Sequence, residues 1–343
     1  MNRKFDFKDI TLVPEVLSSI SSRTSCSILN DKGTLPIMVS PMDTVVSEEN
    51  YELFINQGFD VCLPRCEYSD SKNIFISISL DEFEEYITYF DDFEVDKSPK
   101  RILVDIANGH MKKLYDLSKT FLSKTKGTNY ELMVGNIANP KTYQKFAEIG
   151  VHYIRVGIGG GSGCLTSANT GIHYPMASLI NECFVIKKQN GYQTKIVADG
   201  GFRNYDDIIK ALALGADYVM LGGVLNKTLE SSSETELFKL FPISENTSIY
   251  LWNEFPFLRK HFYKKFRGMS TKEVQKKWGK SKLTTSEGIT KYNKVEYTLS
   301  SWTENLKDYL RSAMSYTNST TLEEFKESEH VFISQNALNR FHK

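Results

Sequence analysis

Short runs rich in apolar and β-branched residues recur along the chain, each closing on a polar residue or a glycine. They fall at residues 36–40, 60–64, 74–79, 102–105, 132–135, 154–158, 195–198 and 218–221. Runs of this length bounded by turn-forming residues read as buried strands. Between most of them lie stretches with apolar positions at helical spacing, such as 140–149, 175–189 and 206–214. Strand and helix in alternation predict a parallel α/β sheet with right-handed crossovers. Eight such units within about 200 residues suit a closed (β/α)8 TIM barrel better than an open doubly wound sheet, the competing arrangement.

Beyond residue 223 the pattern changes. Residues 224–267 begin polar and turn aromatic, with Phe238, Phe241, Tyr250, Trp252, Phe255, Phe257, Phe262 and Tyr263. This insertion after strand 8 exceeds the usual length of a βα loop and is expected to have structure of its own. Residues 279–296 are polar without clear periodicity and read as a surface flap, while 302–327 closes the chain with helical patterning. With no further repeat and no low-complexity linker, residues 1–343 are expected to form one domain.

A barrel of this kind carries its chemistry at the C-terminal ends of the strands. The residues there are Met42-Asp43, Asp105, Asn108-Gly109, Gly135-Asn136, a glycine-rich loop over 157–175, Asp199-Gly200-Gly201 and Gly222-Gly223. The last two glycine pairs end strands 7 and 8, where this fold commonly holds a phosphate, and glycine lets backbone N–H groups reach an anion. The loop Gly157-Ile158-Gly159-Gly160-Gly161-Ser162-Gly163-Cys164-Leu165-Thr166 presents one thiol with a hydroxyl two residues on. That pairing suits attack on an electrophilic carbon; taken alone, the stretch reads equally as a loop bearing an inert thiol.

Composition narrows the field. Lys+Arg and Asp+Glu are both 42, which gives no electrostatic footprint for nucleic acid or an acidic membrane. No apolar run reaches the roughly 18 residues a membrane span needs, and the first residues are charged where a signal peptide is apolar. Cysteines at 26, 62, 66, 164 and 183 are odd in number and sparse, as expected of a reducing cytoplasm. Cys62 and Cys66 lack the second pair or nearby histidine of a zinc site.

Several segments together resemble the IMP dehydrogenase/GMP reductase family over nearly the whole length. They are Phe5-Asp6-Phe7-Lys8-Asp9-Ile10, Ser22-Arg23, Pro41-Met42-Asp43-Thr44-Val45, Asp105-Ile106-Ala107-Asn108-Gly109, and the cysteine loop through Thr170-Gly171-Ile172-His173-Tyr174-Pro175. Further on come Ala198-Asp199-Gly200-Gly201, Gly222-Gly223, Arg267-Gly268-Met269-Ser270 and Ser286-Glu287-Gly288. The reductase branch is the better match. Only a short stretch separates strands 2 and 3, where the dehydrogenase usually inserts regulatory subdomains; the region from Met269 to Glu287 is too short for its flap, and no Arg-Tyr pair occurs. The chain departs from the family's pattern at Gly160, Leu165, Ser167, Thr284 and Phe266-Arg267.

The resemblance implies a GMP reductase, with NADPH-dependent reductive deamination of GMP to IMP and ammonia through a thioimidate on Cys164. It implies Thr166 and Glu287 as the proton relay, although by itself Thr166 reads as a turn cap and Glu287 as a surface carboxylate. Ser162, Gly200, Gly201, Gly222 and Gly223 are implied at the phosphate end, and Asp199 at the ribose, unless Asp199 merely caps an Asp-Gly turn. Gly268, Met269, Ser270, Ser286 and Gly288 are implied at the base. Arg267 is an added candidate for the phosphate, because a guanidinium forks onto phosphate oxygens; a surface arginine is the alternative. Asp105, Ile158 and Gly159, with Ser22 and Arg23 of a neighbouring subunit, are the cofactor positions. The family's monovalent cation, K+, would rest on carbonyls of Gly159, Gly161 and Cys164, and the family forms homotetramers. A dehydrogenase lacking the usual flap, or a non-catalytic purine-nucleotide-binding barrel, are the competing functions.

Overall fold

The computed structural model describes residues 4–67, 74–90, 100–279, 285 and 288–341. Eight parallel strands close into a barrel: β1 (Ile37–Val39), β2 (Asp60–Leu63), β3 (Ile74–Ile78), β4 (Arg101–Asp105), β5 (Glu131–Ile137), β6 (Tyr153–Val156), β7 (Lys195–Asp199) and β8 (Tyr218–Leu221). Each pairs with its sequence neighbours, and β8 pairs with β1 to complete the ring. The (β/α)8 barrel expected from the alternation is what the chain forms.

The strands carry two faces by the period-two rule. Ile102, Val104, Ile154, Val156, Ile196 and Ala198 point outward into the large apolar layer under the helices. Leu103, Met133, Tyr153 and Val197 point inward and fill the barrel together with Phe75 and Tyr218. One step further along β4, β6 and β7 the inward positions are Asp105, Arg155 and Asp199. The interior therefore changes from apolar to charged as it approaches the mouth.

The outer helices include α1 (Tyr51–Asn56), α2 (Leu80–Thr88), α3 (Lys112–Lys124), α4 (Pro140–Glu148), α5 (Met176–Asn190) and α6 (Tyr205–Ala213). Their starts follow local chemistry. Ser79 and Glu82 form a capping box on α2, and Asn139 caps α4 ahead of a first-position proline. The stretches expected to be helical at 140–149, 175–189 and 206–214 match α4, α5 and α6 to within a few residues, the usual ambiguity at helix ends.

The segment after β8 has structure of its own, as its length required. Strands β9 (Thr235–Leu237), β10 (Phe241–Ile243), β11 (Phe262–Arg267) and β12 (Thr290–Lys294) form an antiparallel sheet in the order β10-β9-β11-β12. Helix α7 (Glu245–Glu254) contributes Trp252 to a small core with Leu229, Phe262 and Val295. The expected flap over 279–296 is in part a strand. Residues 290–294 pair with β11, and their alternating exposure hides the strand in a sequence that is polar throughout. Helix α8 (Lys272–Lys277) precedes that region, and α9 (Leu299–Tyr316) covers the barrel after it. A two-stranded ribbon of Ile10–Leu12 with His330–Phe332 ties the two ends of the chain together, a pairing the local pattern did not indicate.

Candidate active site

A cavity of about 550 Å³ opens at the C-terminal ends of the strands, within the size range of small-molecule sites. Its wall gathers residues from β4 to β8, the cysteine loop and the segment after β11. Cys164, Thr166 and Ser162 line it on one side. Asp199, Gly200, Gly201, Gly222 and Gly223 line it as well, Gly223 lying directly against Ser162. Gly268, Met269 and Ser270 reach it from the insertion; Asp105, Ile158, Gly159 and Gly161 line it too.

The cysteine loop is held from two directions. The Cys164 Sγ lies 3.2 Å from the Thr166 hydroxyl, at the start of the one-turn helix Thr166–Thr170. The thiol is partly exposed and forms no disulfide. The Ile289 N–H donates to the Gly163 carbonyl at 3.0 Å, the Gly268 N–H donates to the Ile289 carbonyl at 3.0 Å, and Cys164 pairs with Gly288 as an antiparallel bridge. The inserted sheet thereby brings 268–270 and 288 onto the loop that bears the thiol. The packing is tight enough that a Cβ on Gly163 would approach Phe266 at 3.0 Å and the Gly268 nitrogen at 3.2 Å.

The glycine pairs leave room where side chains would fill the wall. A Cβ at Gly223 would meet the Ser162 Oγ at 2.7 Å, and one at Gly222 the Met42 Sδ at 2.6 Å. Gly200 and Gly201 adopt φ of +96° and +90°, a region side chains other than glycine's resist. Exposed amides without side chains are what an anion cradle needs.

Charge gathers at the base of the mouth. Arg155 Nη1 donates to Asp105 Oδ1 at 2.6 Å and Arg155 Nη2 to Asp199 Oδ2 at 2.7 Å. The Asn136 amide donates to the same Asp199 oxygen at 2.8 Å and to the Gly157 carbonyl at 2.9 Å. Burial disfavours the Arg155 charge, but Asp199 and Asp105 outweigh it and hold its pKa above the ordinary value. Gly135 makes this possible: a Cβ there would sit 2.5 Å from the Arg155 Cβ. Arg65 hydrogen-bonds the Asp105 carbonyl and lies over the Trp278 ring at 4.5 Å, and both line the cavity.

The sequence reading missed Arg155, Arg65 and Trp278. The signal for Arg155 was present, since Tyr153 and Arg155 share the inward face of a strand whose alternate residues are Ile154 and Val156. A charge on that face, beside Asp105 and Asp199 at the same depth, marks the mouth rather than the core.

Arg267, the added candidate for the phosphate, does not line the cavity. The alternation of β11 buries Phe262, Lys264 and Phe266, and Phe266 faces the cavity. Arg267 falls on the other face, where it binds Asp43 at 2.5 Å and also pairs with Glu273. Ser22 and Arg23 lie in an exposed turn, Arg23 reaching Asp308 at 3.5 Å, and neither lines the cavity. Ser286 and Glu287 fall outside the described residues.

Two of the three carbonyls expected to hold a monovalent cation accept hydrogen bonds within the loop. Gly159 accepts from the Ser167 hydroxyl at 3.1 Å and Gly161 from the Cys164 N–H at 3.0 Å. Among the described residues, no cluster of three His, Cys, Asp or Glu suits a metal ion, and no helix is long and apolar enough to cross a membrane.

Glycine pairs after strands 7 and 8 and a thiol on the loop after strand 6 thus share the mouth of one (β/α)8 barrel. Residues 78–242 match the model of the IMP dehydrogenase / GMP reductase domain. The chain is 28% identical to a GMP reductase of Chromobacterium violaceum, over 96% of this chain and 98% of that one. It is 29% identical to GMP reductase 2 of Homo sapiens over 94% and 91%, and 25% identical to a GMP reductase of Lactobacillus delbrueckii subsp. bulgaricus over 98% and 96%. The resemblance to the IMP dehydrogenase/GMP reductase family expected from the motifs is borne out by these matches.

Proposed function

We propose that the chain is a GMP reductase, an oxidoreductase that converts GMP to IMP and ammonia with NADPH. What carries the reading is one cavity lined at once by the Cys164 thiol, the Asp199 carboxylate and the glycine pairs after β7 and β8. The names of the full-length relatives support it.

The 5′-phosphate rests on amides of Gly201, Gly222 and Gly223 with the Ser162 hydroxyl, and Gly200 shapes the turn beside them. Asp199 accepts from the ribose hydroxyls. Gly268, Met269 and Ser270, with Ser286 and Gly288, receive the base and turn its C2 toward sulfur. The Cys164 thiolate forms a bond to C2, and the C2–N bond then breaks. The amine takes a proton through the Thr166 hydroxyl, with Glu287 as the relay's second member, and leaves as ammonia. A thioimidate remains on Cys164.

NADPH supplies the hydride that C2 accepts; the carbon–sulfur electrons then return to sulfur and IMP departs. Of the residues that line the cavity, Asp105, Ile106, Ala107 and Trp278, with Ile158 and Gly159, would receive that cofactor. A carboxylate there suits a ribose hydroxyl, and the flat apolar surfaces suit a ring. Ser22 and Arg23 can join only from a neighbouring copy, which accords with a cytoplasmic homotetramer.

The test is a cuvette assay in both directions. NADPH oxidation that requires GMP and is lost in Cys164→Ala supports the proposal. NAD+ reduction on addition of IMP, without the first reaction, would overturn it in favour of a dehydrogenase.

A further inference from the structure

Asp199 and Asp105 both line the cavity and share one cation. The Arg155 guanidinium, 7% exposed in its side chain, holds Asp105 at 2.6 Å through one terminal nitrogen and Asp199 at 2.7 Å through the other. The residue itself lines the cavity. The protein's donors to Asp199, from Arg155 and Asn136, both converge on Oδ2. Among the described residues none donates to Oδ1, which leaves an acceptor for a ligand's hydroxyl.

A buried ion triad is a poor device for stability alone, because removing charges from water costs about as much as their attraction returns. The layer just beneath shows that apolar side chains fill this barrel well: Leu103, Tyr153 and Val197 occupy the preceding inward positions of the same three strands. Charge flanks them at both ends, Arg101 with Asp60 and Glu131 at the far end and Arg155 with Asp105 and Asp199 at the end that meets the cavity.

We infer that Arg155 is a positioning residue that couples nucleotide binding to cofactor binding by fixing Asp199 and Asp105 on a single guanidinium. The inference rests on the reading above of these carboxylates as contacts for the two ligands. A hydroxyl bound to Asp199 orders that carboxylate, the ordered carboxylate orders the guanidinium, and the guanidinium orders Asp105. The second ligand then meets a carboxylate already in place, so each ligand strengthens the other. An ammonium carries its donors on one nitrogen, so it can touch two carboxylates but lacks the fixed planar spacing with which the guanidinium holds both.

Calorimetric titration of GMP with and without saturating NADP+ tests this, since that pair binds without turnover. For the wild-type chain the Kd of GMP should fall about fivefold or more when NADP+ is present. In Arg155→Lys both ligands should still bind, but the factor should shrink to less than about twofold. A merely structural arginine would weaken both ligands alike and leave the factor unchanged, which would overturn the inference. So would a wild-type factor near one with both ligands bound. Should Arg155→Lys fail to give a cooperative melt, Asp105→Asn takes its place: it keeps the arginine's bond to Asp199, and the same loss of coupling supports the inference while an intact factor sinks it. Absence of GMP binding to the wild-type chain is a different failure, which removes the proposed function and this inference together.

Discussion

The Cys164 sulfur and the Thr166 hydroxyl lie 3.2 Å apart across one residue of chain. The contact exists because Leu165 is the cap of the one-turn helix that Thr166 begins, so the loop turns back on itself there. A thiol and a hydroxyl at this distance can exchange a proton. When the sulfur ionises, the hydroxyl can reverse and donate to it.

Thr166→Val should therefore separate the two roles. The sulfur remains, while the hydroxyl that passes a proton to the departing amine is lost. The kcat for NADPH oxidation should fall on the order of 100-fold with little change in the KM for GMP. Steady-state kinetics read the split; a rise in KM with unchanged kcat would assign Thr166 to binding instead.

Gly223→Ala tests the phosphate cradle. The added methyl would stand 2.7 Å from the Ser162 Oγ, against a wall that lines the cavity. The KM for GMP should rise about tenfold or more while the melting temperature changes little, since the clash lies at the mouth and not in the core. Binding as tight as wild type would place the phosphate elsewhere.

Arg267→Ala should act on stability. Asp43 has a side chain only 6% exposed, and its nearer cation is Arg267 at 2.5 Å against Lys277 at 3.3 Å. Removing the guanidinium leaves a buried carboxylate underpaired, at a cost of about 2 to 3 kcal/mol. The pair with Glu273, half exposed, should add little. Thermal or urea melting would show the loss; a large rise in the KM for GMP with unchanged stability would return Arg267 to the phosphate.

Lys264 supplies a pH dependence away from the cavity. Burial on the inner face of β11 pushes its pKa down to about 8 despite Glu245 and Glu230, and its Nζ donates to the Ser231 carbonyl. Between pH 8 and the unfolded value of 10.5 the unfolded chain binds the extra proton, so this group's penalty is present below pH 8 and is relieved as pH rises. Lys264→Met should gain stability relative to wild type at pH 7, and that advantage should shrink by about 2 kcal/mol by pH 10. An advantage independent of pH would contradict the depressed pKa.

The barrel was legible because its information is local. Eight apolar runs with helical stretches between them specify strands and crossovers, and the chirality of those crossovers leaves few ways to close the ring. The rim was legible for the same reason: once the strands are placed, their C-terminal ends carry Asp105, Cys164, Asp199 and the glycine pairs without further knowledge of packing. β12 was harder to see. Its residues are polar on both faces because one edge and one side meet solvent, so no apolar alternation betrays it.

The amino-acid sequence by itself determined the closed sheet, the thiol-bearing loop and the depth of the glycines at the mouth, since each follows from residue type and a period of two or 3.6. Tertiary structure decided which charges meet. Arg267 and Arg155 are both arginines on strands, yet the parity of β11 turns one toward Asp43 while that of β6 turns the other into the barrel toward Asp105 and Asp199. The partners of a long cationic side chain come from strands distant in sequence, and only the folded register brings them within hydrogen-bonding reach.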